Sequence, residues 1–195
     1  MVALQADTLR GPVTLTGLGS GQGWNDGSFY TGYVTLNFNG TDYTGICVDA
    51  LHDATPGATW DAIYVPLTDP SLSAVLTSYF PNTLPSMYVT LLKADIAGFL
   101  DMAGASQSTT ITLQHEVWGQ FDPAGYNGTA LQAPAVTANI TYGNFGLLVD
   151  ANYAKGGSGM VQAFLIDPPN TVPEPVPALL IGIGLVLMGS LRRCR

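Results

Sequence analysis

The sequence has few positive charges: its 195 residues include 6 lysines and arginines against 14 aspartates and glutamates, which gives a formal net charge of −8. Three of the six basic residues lie in the last four positions, so only Arg10, Lys93 and Lys155 serve the rest of the chain. A surface that binds phosphates needs clustered lysine and arginine side chains to release counterions. The composition therefore excludes nucleic acid as a partner and argues against binding to anionic membranes.

The first residues lack a long apolar run. The segment 1–6 contains neither the basic patch nor the apolar stretch of a signal peptide. Its Leu4-Gln5-Ala6 does resemble the small-residue end of such a peptide, where cleavage occurs. We therefore expect residues 1–6 to be the remnant of a signal peptide, and the protein to be exported.

Glycine, in contrast, is abundant. The 23 glycines, with many threonines, asparagines and tyrosines, favour strands joined by tight turns. The order of patterns along the chain is strands, then helices, then strands. We predict an α+β fold over residues 7–169, which is a β-rich sandwich or barrel-like domain with an inserted helical subregion. A C-terminal hydrophobic helix follows within residues 170–195.

One hairpin is predicted in detail. Residues 33–38 alternate apolar and polar, Asn39-Gly40 is the preferred type I′ turn, and the chain returns over 41–48. This register places Phe38 opposite Thr41 and, further along the ladder, Gly32 opposite Cys47. Cys47 therefore shares a face with Phe38 and is expected to point into the core.

Periodicity divides the remainder of the domain. Apolar residues at helical spacing predict helices over 71–80, 87–103 and 112–121, whereas alternation predicts strands over 136–142, 146–151 and 160–166. The glycine-rich segment 17–23 is interpreted as a flexible loop. In the third helix, Gln114 and Trp118 fall in one arc with the apolar residues Leu113, Val117 and Phe121 at roughly 100° per residue, and His115 and Glu116 are expected to point away.

The C-terminal end has three parts in a fixed order. Val172, Pro173, Glu174 and Pro175 precede the apolar segment 177–191, and Arg192, Arg193 and Arg195 close the chain. This arrangement resembles the PEP-CTERM sorting signal of exported proteins in Gram-negative bacteria. The apolar segment is short for a membrane span of about 30 Å, and the arginines would hold its end in the cytoplasm.

The resemblance implies processing by an exosortase, a membrane-embedded enzyme that would cut near the Pro-Glu-Pro element. Residues 177–191 would then cross the inner membrane only transiently, and the domain would reach the cell surface or the extracellular matrix. The alternative is a plain single-span anchor, which does not require the Pro-Glu-Pro element.

The sequence contains two cysteines, Cys47 and Cys194. If the tail is removed, Cys47 has no partner for an intrachain disulfide, and an unpaired cysteine in an oxidising compartment needs an explanation. Two short segments suggest one: Gly45-Ile-Cys47-Val-Asp49 at the end of a strand, and Leu113-Gln114-His-Glu-Val-Trp118 on a helix.

Together these segments resemble the thioester domains of Gram-positive surface adhesins, in which a strand cysteine is cross-linked to the glutamine of a Thr-Gln-x-Ala-Ile/Val-Trp motif. The resemblance implies that Cys47 is the thiol partner and Gln114 the acyl partner, with Trp118 and Asp49 in support. Leu113 stands where the motif has threonine, and Glu116 stands where it has alanine.

A thioester would form when the Cys47 thiol attacks the Gln114 side-chain carbonyl with loss of ammonia, helped by proximity. A surface amine or hydroxyl, or a polysaccharide carrying one, could then take over the acyl group. The sequence thus predicts a covalent adhesin without enzymatic activity or cofactor. The alternative is a non-covalent matrix or carbohydrate-binding module in which Cys47 and Gln114 are an inert core pair.

Other sites are weaker candidates. A cysteine hydrolase would need His52 or His115 as the base. Calcium could be held by aspartates, although no recognisable calcium-loop spacing is present. Aromatic residues could stack on sugars. The aspartates are Asp49, Asp53, Asp61 and Asp69, and the aromatic residues are Trp24, Phe29, Tyr30 and Tyr33.

Overall fold

The computed structural model describes residues 9–25, 29–122, 125–126, 145–153 and 160–167, with the backbone alone for 19–25. The elements in chain order are β1 (Arg10–Asn25), β2 (Tyr30–Phe38), β3 (Thr41–Cys47), β4 (Thr59–Pro66), α1 (Leu72–Tyr79), a short 3-10 turn (Pro85–Met87), α2 (Tyr88–Asp101), α3 (Gln107–Phe121), β5 (Gly146–Asp150) and β6 (Phe164–Asp167). The strands form a closed antiparallel barrel in the order β1-β2-β3-β6-β5-β4. The predicted α+β class and its barrel-like form are confirmed.

The barrel encloses one of two apolar clusters. Alternate residues of its strands meet in the interior, among them Leu36, Cys47 and Phe164, and Trp118 of α3 joins them. The neighbouring positions on the strands, such as Ile46 and Leu165, belong to the second cluster, in which the helices cover the outside of the barrel. This alternation between two apolar faces follows from the two-residue period of a strand.

The β2–β3 hairpin has the predicted register over most of its length. Phe38 pairs with Thr41, Leu36 with Tyr43, and Val34 with Gly45. Asn39 and Gly40 both have positive φ, 50° and 82°, as a type I′ turn requires.

The end of this ladder differs from the prediction. Direct pairing stops at Val34 and Gly45, so Gly32 does not pair with Cys47. On the other edge of β3, Cys47 pairs with Phe164 of β6, and on the other edge of β2, Gly32 pairs with Gly23 of β1. The prediction of an inward-facing Cys47 is nevertheless confirmed, because Cys47 packs with Val34, Leu36 and Phe38.

Several predicted boundaries were wrong. The glycine-rich segment 17–23 is part of β1 rather than a loop. Between the pairs Leu18–Val34 and Gly23–Gly32, however, the four residues 19–22 of β1 lie opposite the single residue Tyr33 of β2, which marks a bulge. Strand β4 was not predicted, because its pairing with β1 is non-local. Helix α3 begins at Gln107, five residues before the predicted start, because Ser106 caps it by accepting a hydrogen bond from the Thr109 N–H at 3.3 Å.

The later elements agree more closely with the predictions. Helices α1 and α2 lie within the predicted segments 71–80 and 87–103, and β5 matches 146–151. The strand predicted over 160–166 begins only at Phe164.

Some predicted features lie outside the described residues: the strand at 136–142, the signal-peptide remnant, the sorting motif from Val172 to Pro175, the apolar helix 177–191 and the terminal arginines. Among the helices that the structure describes, none has the length and apolar character of a membrane span.

Candidate functional site

Cys47 is the last residue of β3, and its side chain lies in the barrel interior at 5% exposure. Its thiol donates a hydrogen bond to the backbone carbonyl of Asp49 at 3.0 Å. The indole Nε1–H of Trp118 donates to its sulfur at 3.4 Å. The predicted supporting residues Trp118 and Asp49 are therefore both in contact with Cys47.

Gln114 lies beside Cys47 and is fully buried. Its Nε2 donates to the backbone carbonyl of Cys47 at 2.7 Å, and its Oε1 accepts from the backbone N–H of Gly32 at 3.2 Å. The two residues predicted from the sequence are thus brought together, and Gly32 is a third member that sequence reasoning did not identify as a site residue.

The position of the Gln114 amide follows from the geometry of the hairpin. Hydrogen-bonded and non-hydrogen-bonded pairs alternate along an antiparallel ladder, so Gly32 and Cys47 would form the next hydrogen-bonded pair after Val34 and Gly45. The amide of Gln114 enters at this point and connects the N–H of one residue to the carbonyl of the other. The amide therefore takes the place of the direct backbone hydrogen bond expected between the Gly32 N–H and the Cys47 carbonyl. The two residues remain linked, but through the side chain of Gln114.

Helix α3 presents this amide because buried residues recur along one of its faces. Thr110, Gln114 and Trp118 are four residues apart and all fully or nearly fully buried, which places them on successive turns toward the barrel. The prediction that Gln114 and Trp118 share an inward arc is confirmed.

The prediction for His115 was wrong. Its ring is stacked against Trp118 with centroids 5.6 Å apart, and it also contacts Tyr126 at 5.4 Å. His115 and Glu116 are both partly buried, so neither points fully into solvent. Tyr126, which follows α3, packs against both Trp118 and His115 and so covers the His115 ring. The helical period of α3 alone could not predict this contact.

Burial raises the pKa of the Cys47 thiol well above its ordinary value, and the negative charges of Asp49 and Asp95 act in the same direction. The hydrogen bond from Trp118 acts against this rise because it stabilises the thiolate. Cys47 is therefore a protonated thiol at neutral pH, and its environment disfavours loss of the proton unless the proton passes directly to another group.

Asp95 of α2 is another buried acid in the described part of the chain. It is fully buried, and within the described part of the chain neither of its carboxyl oxygens has a hydrogen-bond partner. Burial raises its pKa well above the ordinary value.

Asp49 links Cys47 to a histidine. Its buried carboxylate accepts from the Leu51 N–H at 2.9 Å and lies 2.5 Å from the Nδ1 of His52. This hydrogen bond raises the pKa of His52, and partial burial opposes the rise. The Nδ1 of His52, one of the two histidines considered as a base for Cys47, is therefore engaged with Asp49.

The aspartates considered as calcium ligands have local roles. Asp61 forms an ion pair with Arg10 at 2.5 Å, and Asp69 accepts from the backbone N–H of Ser71 at 2.7 Å. In the part of the chain that the structure describes, no three acidic, histidine or cysteine side chains are grouped as a metal site would require.

A cleft of about 340 Å³ opens next to Cys47. Cys47 and Gly32 contribute to its wall, and Phe29 and Tyr30 lie along it with 39% and 46% of their surfaces exposed. Of the aromatic residues proposed for sugar stacking, these two line the cleft, whereas Tyr33 packs edge to face on Phe99. Trp24 lies where only the backbone is described.

Comparisons of the chain with models of protein families, with curated proteins and with solved structures gave no significant match. The functional argument therefore rests on the geometry around Cys47 and Gln114.

Proposed function

We propose that the protein is an exported surface or matrix protein that attaches covalently to its target through a thioester between Cys47 and Gln114. The observation that carries this proposal is the placement of the Gln114 amide, which is held between the backbone carbonyl of Cys47 and the backbone N–H of Gly32. An amide fixed beside the residue that carries the thiol favours the proximity that an otherwise slow acyl transfer requires, and full alignment of the reacting atoms would contribute up to about 7–11 kcal/mol of the barrier.

The reaction is balanced without any further reagent. The Cys47 sulfur attacks the Gln114 side-chain carbon, a C–S bond forms, and the C–N bond of the amide breaks. The thiol proton passes to the departing nitrogen, which leaves as ammonia. Because burial raises the pKa of the Cys47 thiol, its proton has to leave in the same step in which the sulfur attacks, without a free thiolate accumulating first.

The backbone N–H of Gly32 has a defined part in this step. It donates to Gln114 Oε1, the oxygen on which negative charge develops in the tetrahedral intermediate. A fixed donor at such an oxygen acts as an oxyanion hole, and removing one typically slows acyl transfer by about 10²–10³-fold. Gly32 has φ of 88°, a conformation that other residues rarely adopt.

The same environment would protect the thioester once it has formed. A thiol of raised pKa is a poor leaving group, and Cys47 and Gln114 are 5% and 0% exposed to water. The Trp118 N–H, which stabilises negative charge on the sulfur, is the group that would assist its departure when an acceptor arrives.

Intact mass of the purified protein tests the proposal. The wild type should be lighter than its sequence by one ammonia, and the deficit should disappear in Cys47→Ala and in Gln114→Met. The matched control is Gln120→Met on the same helix, since Gln120 bonds to the Glu116 carbonyl one turn earlier and not to β2 or β3 in the described part of the chain; it should keep the deficit. A full mass with a titratable Cys47 thiol after unfolding would refute the thioester.

The proposal includes sorting by an exosortase, with residues 177–191 as a transient inner-membrane segment. It rests on the sequence of the tail, where Val172–Pro175 precedes an apolar segment and a basic end. Deleting residues 172–175 should abolish C-terminal processing in a Gram-negative host. Processing that continues unchanged after this deletion would refute sorting through the Pro-Glu-Pro element, and a tail that stays attached in the wild type would identify a plain anchor.

A second candidate function is a non-covalent carbohydrate-binding or matrix module. The observation that favours it is the cleft with two exposed aromatic residues, Phe29 and Tyr30. Methylamine separates the two functions, because only a thioester would take it up at Gln114.

A further inference from the structure

The cleft beside Cys47 has a distinctive composition. Its inner wall is apolar, with Leu15, Val34 and Phe164 from the barrel. Thr55 and Gln162 add polar groups, and Asp53 is the charged residue among those described that line it. A volume of about 340 Å³ is near the lower end of the ~300–1,000 Å³ range of ligand sites. It suits one ring-sized group better than a folded peptide segment.

The cleft is connected to both halves of the proposed thioester. Cys47 lines it directly, and Gly32, which holds the Gln114 oxygen, lies in the same wall. Phe29 packs edge to face on Trp118 with centroids 5.8 Å apart, and Trp118 donates to the Cys47 sulfur. A molecule in the cleft would therefore lie against the residues that surround the reacting bond.

We propose that this cleft is the acceptor subsite and that it takes a sugar ring bearing a primary amine, an amino sugar in a polysaccharide. This inference rests on the proposed thioester and names its acceptor. The exposed ring of Tyr30 offers a surface for the apolar face of a pyranose. The carboxylate of Asp53 attracts an ammonium group, and the net charge of −8 disfavours acidic polysaccharides.

The transfer step is balanced as follows. The sugar ammonium first loses one proton to solvent and becomes the free amine. Its nitrogen attacks the Gln114 acyl carbon, a C–N bond forms, and the C–S bond breaks. The second proton passes from nitrogen to the Cys47 sulfur. The products are an amide between Gln114 and the sugar and a free Cys47 thiol. A sugar amine is less basic than a lysine amine, because the ring hydroxyl groups withdraw electrons, so more of it is the neutral nucleophile near pH 7.

Adduct formation on the full chain tests the assignment. The probes are a glucosamine trimer, its fully N-acetylated counterpart, methylamine and a lysine-containing peptide, each followed by intact mass at equal amine concentration. With rates corrected for the fraction of each amine that is neutral, we expect the glucosamine trimer to react about tenfold or more faster than methylamine or the peptide, as one aromatic contact and one charge would provide. The acetylated trimer should form no adduct.

Substitutions in the cleft test whether its side chains cause the faster reaction of the glucosamine trimer. Tyr30→Ala and Asp53→Asn should each reduce the trimer rate toward that of methylamine, and Tyr30→Phe should retain the wild-type rate. The ammonia deficit of Tyr30→Ala shows whether the variant is folded and carries the thioester, and Gln120→Met, which lies outside the residues that line the cleft, should keep the wild-type rates with both methylamine and the trimer. If methylamine reacts but the trimer has no advantage, or the peptide reacts as fast as the trimer, the acceptor assignment is overturned and the thioester stands.

Failure of the proposed function gives a different result. In that case no amine labels Gln114 and the ammonia deficit is absent. Calorimetry with Cys47→Ala then shows whether the trimer binds without reaction. Binding that requires Tyr30 would make the cleft a non-covalent sugar site and overturn its role as an acceptor subsite, and lack of binding would overturn sugar recognition as well.

Discussion

Replacing Gln114 by methionine tests whether its amide substitutes for a rung of the hairpin. The change is best made in a Cys47→Ala background, which removes the thiol but keeps the backbone carbonyl that accepts from Gln114. Methionine is unbranched and of similar length, so it fills the space of glutamine but offers no amide. Two buried backbone groups then lose their partner: the N–H of Gly32 and the carbonyl of residue 47.

The cost follows from these two groups. A buried donor or acceptor left without a partner costs about 1–3 kcal/mol, so the free energy of unfolding should fall by roughly 2–6 kcal/mol. With a urea dependence of about 2 kcal/mol/M, the unfolding midpoint should fall by roughly 1–3 M at an unchanged slope.

Gln120→Met in the same background is the control. Gln120 is only partly buried and bonds to the Glu116 carbonyl of its own helix at 3.0 Å, where water can replace it. Its substitution should change the free energy of unfolding by about 0.5 kcal/mol or less. If Gln114→Met is no more destabilising than Gln120→Met, the amide does not bridge β2 and β3 and the geometric basis of the proposed function is lost.

Three further predictions concern the surroundings of the site. Trp118→Phe removes the N–H that donates to the Cys47 sulfur. It should slow methylamine uptake by about tenfold, since a hydrogen bond to the negative charge that develops on the departing sulfur is worth about 1.5–3 kcal/mol. An unchanged rate would exclude a role for the indole N–H. Because Asp49 raises the pKa of His52, their interaction stabilises the fold fully below pH ~6.5 and is lost as the pH rises through the folded-state value. His52→Gln should therefore flatten that decline in urea titrations, and a variant with the wild-type slope would contradict the pairing. Burial raises the pKa of Asp95, so stability should fall as the pH rises above ~3.9; Asp95→Asn should be less sensitive to pH between 4 and 7, and equal sensitivity would mean that Asp95 is not buried in solution.

The features that could be predicted from the sequence are those decided by local patterns. Asn39-Gly40 specifies its own turn, and the turn then fixes the strand register that points Cys47 inward. The helical period of α3 likewise turns Gln114 inward. Each residue of the candidate pair was therefore placed by information within about ten residues of it.

The features that escaped prediction depend on distant parts of the chain. Closure of the barrel requires β1 to pair with β4 and β3 with β6, and no local pattern specifies those partners. Gly32 contributes through its backbone N–H, so its residue type does not reveal the role. The cleft is assembled from separate segments, and no local pattern indicates that Cys47, Asp53, Phe29 and Tyr30 line the same space.

The thioester and the hydrogen bond from Gln114 to the Cys47 carbonyl exclude each other, because the nitrogen that donates this bond leaves as ammonia. The covalent link would close a loop between residues 67 positions apart, which by chain entropy stabilises the fold by about 4 kcal/mol. Loss of the donor to the Cys47 carbonyl offsets about 1–3 kcal/mol of this. The cross-linked protein should therefore be more stable than the same chain after complete reaction with methylamine, by roughly 1–3 kcal/mol. Urea unfolding before and after methylamine treatment measures the difference, with Cys47→Ala treated in parallel as the control. Equal midpoints for treated and untreated wild type, in protein whose mass shows the adduct, would mean that opening the thioester restores as much stability as the cross-link provided, and the chain-entropy argument would fail.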